Sequence, residues 1–257
     1  MKNKNVLAGL LVFMTLLLGT VYLSVFSAKE EKKVIEKIEI IGNHFLNTQE
    51  YFKFTCLNNV SDYRYLNLSI IKDRIEKHPY VLKADVKFAG GNKVQVNITE
   101  KNFQAHLLTD TDEYLLGDDF VLIPVFPYTK NSNVPVIKNT LLPAKLKSFD
   151  VLKTSEIVSA FRIIEAAKHI DPEIYSSLSD IDMGKGKDIV LYFTGFNFRV
   201  TLGRGNEVRK LLEFEKVWKM ITSNKQAAEN FINYIDLRYS NLIYIDVADS
   251  SSEVKGT

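Results

Sequence analysis

Cysteine is nearly absent: Cys56 stands alone in 257 residues, so no internal disulfide can form and packing must hold the fold together. Six prolines, and no low-complexity or collagen-like stretch, exclude a disordered or fibrous chain. Histidine is sparse as well. His44, His78, His106 and His169 are scattered, with no His-Glu-x-x-His pair and no Cys/His spacing, so nothing nucleates a zinc site. Neither sign of charge dominates. A formal net charge of +2 gives no mandate for nucleic acid, and the tyrosines and phenylalanines are spread out rather than interleaved with basic residues. No internal repeat of roughly 20–50 residues is visible.

Charge is also missing locally, from Val6 to Phe26, with Lys2 and Lys4 before the run and Lys29, Lys32 and Lys33 after it. As a helix rising about 1.5 Å per residue, this run reaches ~31 Å, enough for one crossing of a hydrocarbon core roughly 30 Å thick. The competing reading is a cleaved signal peptide, whose apolar core is normally about 7–15 residues. The run is longer than that, although Val25-Phe26-Ser27 before Ala28 could be cut. Lys and Arg counts do not settle sidedness by the positive-inside rule. A short tail beside a domain of about 230 residues is most simply left in the cytoplasm while the domain is exported.

The exported part opens with alternation at Ile38-Glu39-Ile40 and a Gly42-Asn43 turn. Asn47 with Glu50 three residues on resembles a capping box opening a short helix. Leu68, Ile71 and Ile75 mark a second helix, which Pro79 requires to end near His78. Val81 resumes a strand, and 84–88 and 94–98 flank Gly90-Gly91-Asn92 as a hairpin. In this order, Ile35 to Asn43 and Ile75 to Val81 resemble the opening strand and second-helix exit of a POTRA module, a small β-α-α-β-β domain.

Beyond Glu100 strands dominate. Strands are expected at 114–116, 120–123, 134–137, 181–183, 189–193, 198–202, 234–239 and 242–247. The piece at 134–137 is an edge strand if Pro135 lies within it. One helix starts at Thr154 or Ser155 and stops at Asp171-Pro172; another runs from Val208 to Ile221 with Leu211, Leu212, Trp218 and Ile221 inward. Tyr114-Leu115-Leu116 through Phe120-Val121-Leu122-Ile123-Pro124, Val134 to Ile137, Val200-Thr201-Leu202-Gly203 and Tyr234-Ile235-Asp236-Leu237-Arg238-Tyr239 carry a resemblance to the FtsQ/DivIB family of bacterial cell-division proteins. Two departures stand out. Gly90-Gly91 occupies a place where the family usually keeps a proline, and Phe103 lies near a usual proline at the domain junction.

The fold class expected is therefore α+β: a single N-terminal transmembrane helix, a POTRA-like module, and a mixed β domain with two or three helices. The boundaries read as 1–27 for tail and anchor, 28–101 for the module, 102–248 for the β domain and 249–257 for a tail.

No catalytic constellation emerges. No Gly-x-Ser-x-Gly elbow occurs, and Cys56 among Phe54, Thr55 and Leu57 reads as a small core hydrophobe. Gly203-Arg204-Gly205-Asn206 lacks the spacing of a phosphate loop and reads as a strand-to-helix turn with Asn206 as N-cap. Asp118-Asp119 and Asp180-x-Asp182 read as solvated carboxylates. Neither an enzyme, a cofactor nor a metal is expected.

Binding remains. Leu242 to Val247 is apolar and aromatic with one charge and neither lysine nor proline, so an edge there would be poorly blunted against pairing. A covered strand whose apolar residues fill the core is the other reading of these residues. The resemblance implies a non-catalytic divisome scaffold that binds FtsB and FtsL, small coiled-coil proteins, through its last strands. It implies a partner-binding set of Arg238, Tyr239, Leu242, Tyr244 and Asp246, with other divisome proteins on the module and anchor. Tyr239 has a core reading as well, and Arg238 an intramolecular ion-pair reading. The implied location is the inner membrane at the septum, single-pass, N-terminus cytoplasmic and domains periplasmic. A POTRA-containing outer-membrane assembly or secretion factor is the alternative, and a membrane-anchored hydrolase a further rival.

Overall fold

A computed structural model of the protein describes residues 2–27, 34–130, 132–224, 228, 231–239 and 242–247. The Ser240-Asn241 connection, Ala28 and the tail from Ala248 lie outside the described residues. Helix α1 spans Lys2–Ser27, and its described side chains, 9–22, are all exposed. Among the described residues no helix is long and apolar enough to cross a membrane.

The first module contains β1 (Lys37–Ile41), α2 (Thr48–Phe54), a 3-10 turn (Val60–Tyr65), α3 (Leu68–Glu76), β2 (Val81–Phe88) and β3 (Lys93–Glu100). Asparagines start each helical piece. The side chains of Asn47, Asn59 and Asn67 accept from the amides of Glu50, Ser61 and Ile70, meeting donors that a helix start leaves unpaired. The sheet runs β1-β3-β2, with β1 parallel and β2 antiparallel to β3. Ile38, Ile40, Val94, Val96, Ile71 and Ile75 fill the space between sheet and helices. Gly42 turns the chain at φ +89°, where a Cβ would stand 2.3 Å from the Ile98 carbonyl oxygen, so only glycine fits.

Cys56 is exposed, at φ +54°, because it lies in the turn leaving α2; Leu57 takes the core position instead, fully buried. Gly90 and Gly91 adopt φ +96° and +53°, which a proline, fixed near about −65°, cannot do.

The second region adds β4 (Phe103–Leu108), β5 (Glu113–Gly117), β6 (Leu122–Pro124), β7 (Val136–Lys138), α4 (Ser155–Ile170), α5 (Pro172–Ser177), β8 (Leu178–Asp182), β9 (Val190–Phe193), β10 (Arg199–Thr201), α6 (Glu207–Ser223), β11 (Ile232–Asp236) and β12 (Tyr244–Val247). They form a nine-stranded sheet in the order β12-β11-β10-β9-β8-β7-β4-β5-β6. Parallel crossovers β7 to β8 and β10 to β11 carry α4 and α6 onto one face. There Ile157, Ile164, Phe214 and Trp218 meet Ile137, Ile181, Leu191, Val200 and Ile235 in one core. Strands β4 and helix α5 were not foreseen, and α5 shows why: Pro172 occupies the first turn of a new helix capped by Asp171 instead of ending the region.

Other expectations change in detail. Pro135 lies before β7, which is an interior strand between β4 and β8, not an edge. Leu212 is 48% exposed and Phe214 is buried in its place. Asn206 stands at the start of α6 in the left-handed region, φ +57°, and its side chain makes no capping bond. Strand β11 ends at Asp236 and does not reach Tyr239.

Candidate functional site

The sheet has two outer strands, β6 and β12, and the chain treats them differently. Beside β6 the backbone is already paired. The Leu122 amide donates to the Asp150 carbonyl at 3.0 Å, the Phe149 amide to the Leu122 carbonyl at 2.7 Å and the Leu152 amide to the Phe120 carbonyl at 2.8 Å. The first module then covers this end, since Leu115 of β5 and Ile123 of β6 belong to its core.

Aromatic rings weld that junction. Phe45, Tyr51, Phe54, His78, Tyr80, Phe103 and Phe126 pair with centroid distances from 4.5 to 5.9 Å. Phe103 works here as a ring, which explains its place at the domain junction. The Tyr80 hydroxyl accepts from the Phe126 amide at 3.0 Å and lies 2.9 Å from Thr129 Oγ1, while the Lys130 amide donates to the Phe45 carbonyl at 2.8 Å. Glu100 ties the module to itself, accepting from the amides of His44 and Phe45 and from the Tyr51 hydroxyl. Burial, and then Glu100, raise the Tyr51 hydroxyl pKa. His78 is 2% exposed, its Nδ1 accepts from the Tyr80 amide at 3.1 Å, and burial lowers its pKa to about 4.

At the other end, β12 pairs with β11, in the register Asp236↔Tyr244, Ile235↔Ile245 and Tyr234↔Asp246. Among the described residues no strand lies on its outer side. Ile243 and Ile245 lean against the helix-side core, whereas Tyr244 is 47% exposed and its ring lies 5.9 Å from that of Tyr234. Asp246 Oδ2 accepts from Asn233 Nδ2 at 3.0 Å.

The connection between these strands is braced. Asp236, 3% exposed, accepts from the Arg238 amide at 3.0 Å and from its Nε at 3.0 Å and Nη2 at 2.6 Å, while Arg238 Nη1 donates to Asp188 Oδ2 at 2.8 Å. These bonds to Arg238 hold the Asp236 carboxyl below its usual pKa range. Gly203, at φ +67°, lets the Arg238 stem pass: a Cβ there would stand 2.8 Å from Arg238 Cγ. The brace pulls the chain out of extended conformation after Asp236, so Tyr239 is a loop residue, 56% exposed, and Leu242 is 59% exposed. Of the five expected residues, Tyr239, Leu242, Tyr244 and Asp246 sit along the open end and Arg238 is engaged beneath them. Sequence reasoning overlooked Asp236, Asp188, Asn233 and Tyr234; the Asp-x-Arg spacing was the available signal for the first.

Most of the remaining acidic candidates have structural partners. Asp180 accepts from Lys138 Nζ at 2.8 Å, Asp182 from the Gly184 amide at 2.8 Å and Asp119 from the Val121 amide at 3.1 Å. His106 joins Glu113 Oε1 through Nδ1 at 2.5 Å and Ser132 Oγ through Nε2 at 2.7 Å, cross-linking β4, β5 and the loop before β7. No group of three or more His, Cys, Asp and Glu that could hold a metal occurs among the described residues.

Comparison with known proteins agrees with this division of the molecule. Residues 34–101 match the POTRA domain, FtsQ-type, and residues 105–238 match "Cell division protein FtsQ/DivIB, C-terminal". Over 85 residues the chain is 25% identical to "Cell division protein DivIB" of Clostridium tetani (strain Massachusetts / E88), covering 33% of this chain. That similarity spans 32%, about a third, of the relative's length. Because the C-terminal family match alone takes in more than half of the residues, and a POTRA domain of the same type precedes it, the chain belongs to the FtsQ/DivIB family of cell-division proteins.

Proposed function

We propose that this protein is a non-catalytic, membrane-anchored divisome scaffold that captures FtsB/FtsL-type coiled-coil partners by adding a partner strand to β12. Through them it influences septal peptidoglycan synthesis. What supports this reading is that, among the described residues, no strand pairs with the outer side of β12, beside a sheet whose other edge its own backbone has closed. An extended segment laid there completes a row of N–H and C=O groups, and the exposed side chains of Tyr239, Leu242 and Tyr244 frame it. Arg238 serves as the brace that presents Tyr239. The uncharged run Val6 to Phe26 is the anchor, with the N-terminus cytoplasmic and the two domains exported at the septum. The module contacts further divisome proteins. Nothing in the family matches supports the outer-membrane assembly alternative.

Adjacent residues of a strand point their N–H groups to opposite sides, so Tyr244→Pro and Ile245→Pro between them delete one outward donor. The lost donor leaves a partner carbonyl unpaired, which costs about 1–3 kcal/mol, roughly five- to 150-fold in affinity. Full-length protein in detergent is titrated with co-purified FtsB/FtsL-type partners. Loss of binding in at least one variant, with melting unchanged, supports the reading; undiminished binding in both removes it.

A further inference from the structure

A strand laid against β12 has no choice about its faces: pleating sends its side chains alternately toward the helix layer and toward the open face of the sheet. On β12, Ile245 leans on the helix-side core, so Tyr244 and Asp246 point the other way. That open face carries a run of rings and cations. Lys138 Nζ lies 4.6 Å from the Tyr192 ring centroid, the Arg199 guanidinium 5.9 Å from that of Tyr234, and Tyr234 5.9 Å from Tyr244. Asp246, opposite Tyr234 in the register, ends the run. Its bond to Asn233 Nδ2 comes from a neutral donor, and among the described residues no cation pairs with it. Directly opposite positions across a strand pair reward opposite charge and ring-on-ring packing, and penalise like charge.

Resting on the augmentation reading above, we propose that Tyr244 and Asp246 read the open-face side chains of the incoming strand. They select a segment with Lys or Arg opposite Asp246, an aromatic residue opposite Tyr244, and an aliphatic residue between them opposite Ile245. In an antiparallel partner this reads basic-aliphatic-aromatic; in a parallel one the order reverses. Complementary charge at the very edge gives register as well as attraction, because a slip by one residue turns the basic side chain toward the apolar helix side.

The test uses displayed peptides with a fixed strand-forming frame and a short randomised stretch, selected on the full chain in lipid nanodiscs. Against the unaltered protein, enriched peptides carry Lys or Arg at one end of the stretch. Against Asp246→Lys, Glu or Asp takes that place, and the best basic peptide loses about three- to tenfold in affinity; Asp246→Asn falls between, and matching melting curves establish that the variants are folded. A charge preference that Asp246→Lys leaves unchanged overturns the inference but spares augmentation, provided binding still falls in Tyr244→Pro or Ile245→Pro. Enrichment indifferent to both prolines, or no enrichment at all, overturns augmentation and this inference with it.

Discussion

At the β6 end of the sheet, three backbone hydrogen bonds from the 149–152 segment occupy the edge and the POTRA module buries the adjoining face with Leu115 and Ile123. At the β12 end, a short strand ends the sheet with Tyr244 and Val247 about half exposed. Both ends face the same hazard of unwanted pairing, and among the described residues only one is closed. The difference is one of side chains as well as backbone: the closed end is knit by seven aromatic rings, and the open end by a single Asp236–Arg238–Asp188 brace that leaves the edge itself untouched. On the proposed reading, the closed end serves stability and the open end encounter.

Breaking the closed end should give the largest effects, and on stability rather than binding. Leu115→Ala empties a fully buried site between the two regions and is expected to cost about 3 kcal/mol in urea unfolding, with partner affinity unchanged per folded molecule. A fall in affinity without a fall in stability would reverse the assignment of the two ends. Acid acts on the same junction. His78 is held neutral, with a pKa of about 4 against roughly 6.5 unfolded, so the unfolded chain takes up protons first as pH drops. Stability from this group is full above about pH 6.5 and is lost progressively down to about pH 4, some 3 kcal/mol in all. His78→Asn keeps an acceptor for the Tyr80 amide and should flatten that part of the pH profile.

The open end answers more quietly in stability. Asp236→Asn weakens the brace and is expected to cost about 2 kcal/mol, with a parallel loss of partner affinity because Tyr239 is no longer presented. Tyr239→Ala should change stability by less than about 0.5 kcal/mol, since the side chain is exposed, and still weaken partner binding. Equal affinities for Tyr239→Ala and the unaltered protein would take Tyr239 out of the interface.

The sequence made the regular parts legible and the bent parts not. Asn47 with Glu50, Ile71 with Ile75, and Trp218 with Ile221 announced caps and faces through spacing alone, and the caps and burial agree. Spacing fails where a non-local bond overrides it. The hexamer ending at Tyr239 alternates like a strand, yet Asp236 binds Arg238 two residues on and bends the chain. Cys56 looks apolar among apolar neighbours, but the turn after α2 aims it outward. Strand β7 would be an edge only if Pro135 lay within it; the proline stops just short, its carbonyl accepting from the His106 amide at 3.0 Å, and the strand is interior. Of the candidate site, an intramolecular ion pair for Arg238 was one of the two readings available, and Asp236 two residues away was its visible partner; Asp188 was not legible because it lies far from Arg238 in sequence.

Amide hydrogen exchange of the full-length protein, with and without FtsB/FtsL-type partners, reads out which end of the sheet a partner occupies. New protection is expected only at residues 242–247 and around Tyr239, with the β6 end and its covering module unchanged. Protection that appears elsewhere and leaves 244–247 exchanging at the free rate would contradict strand addition at β12.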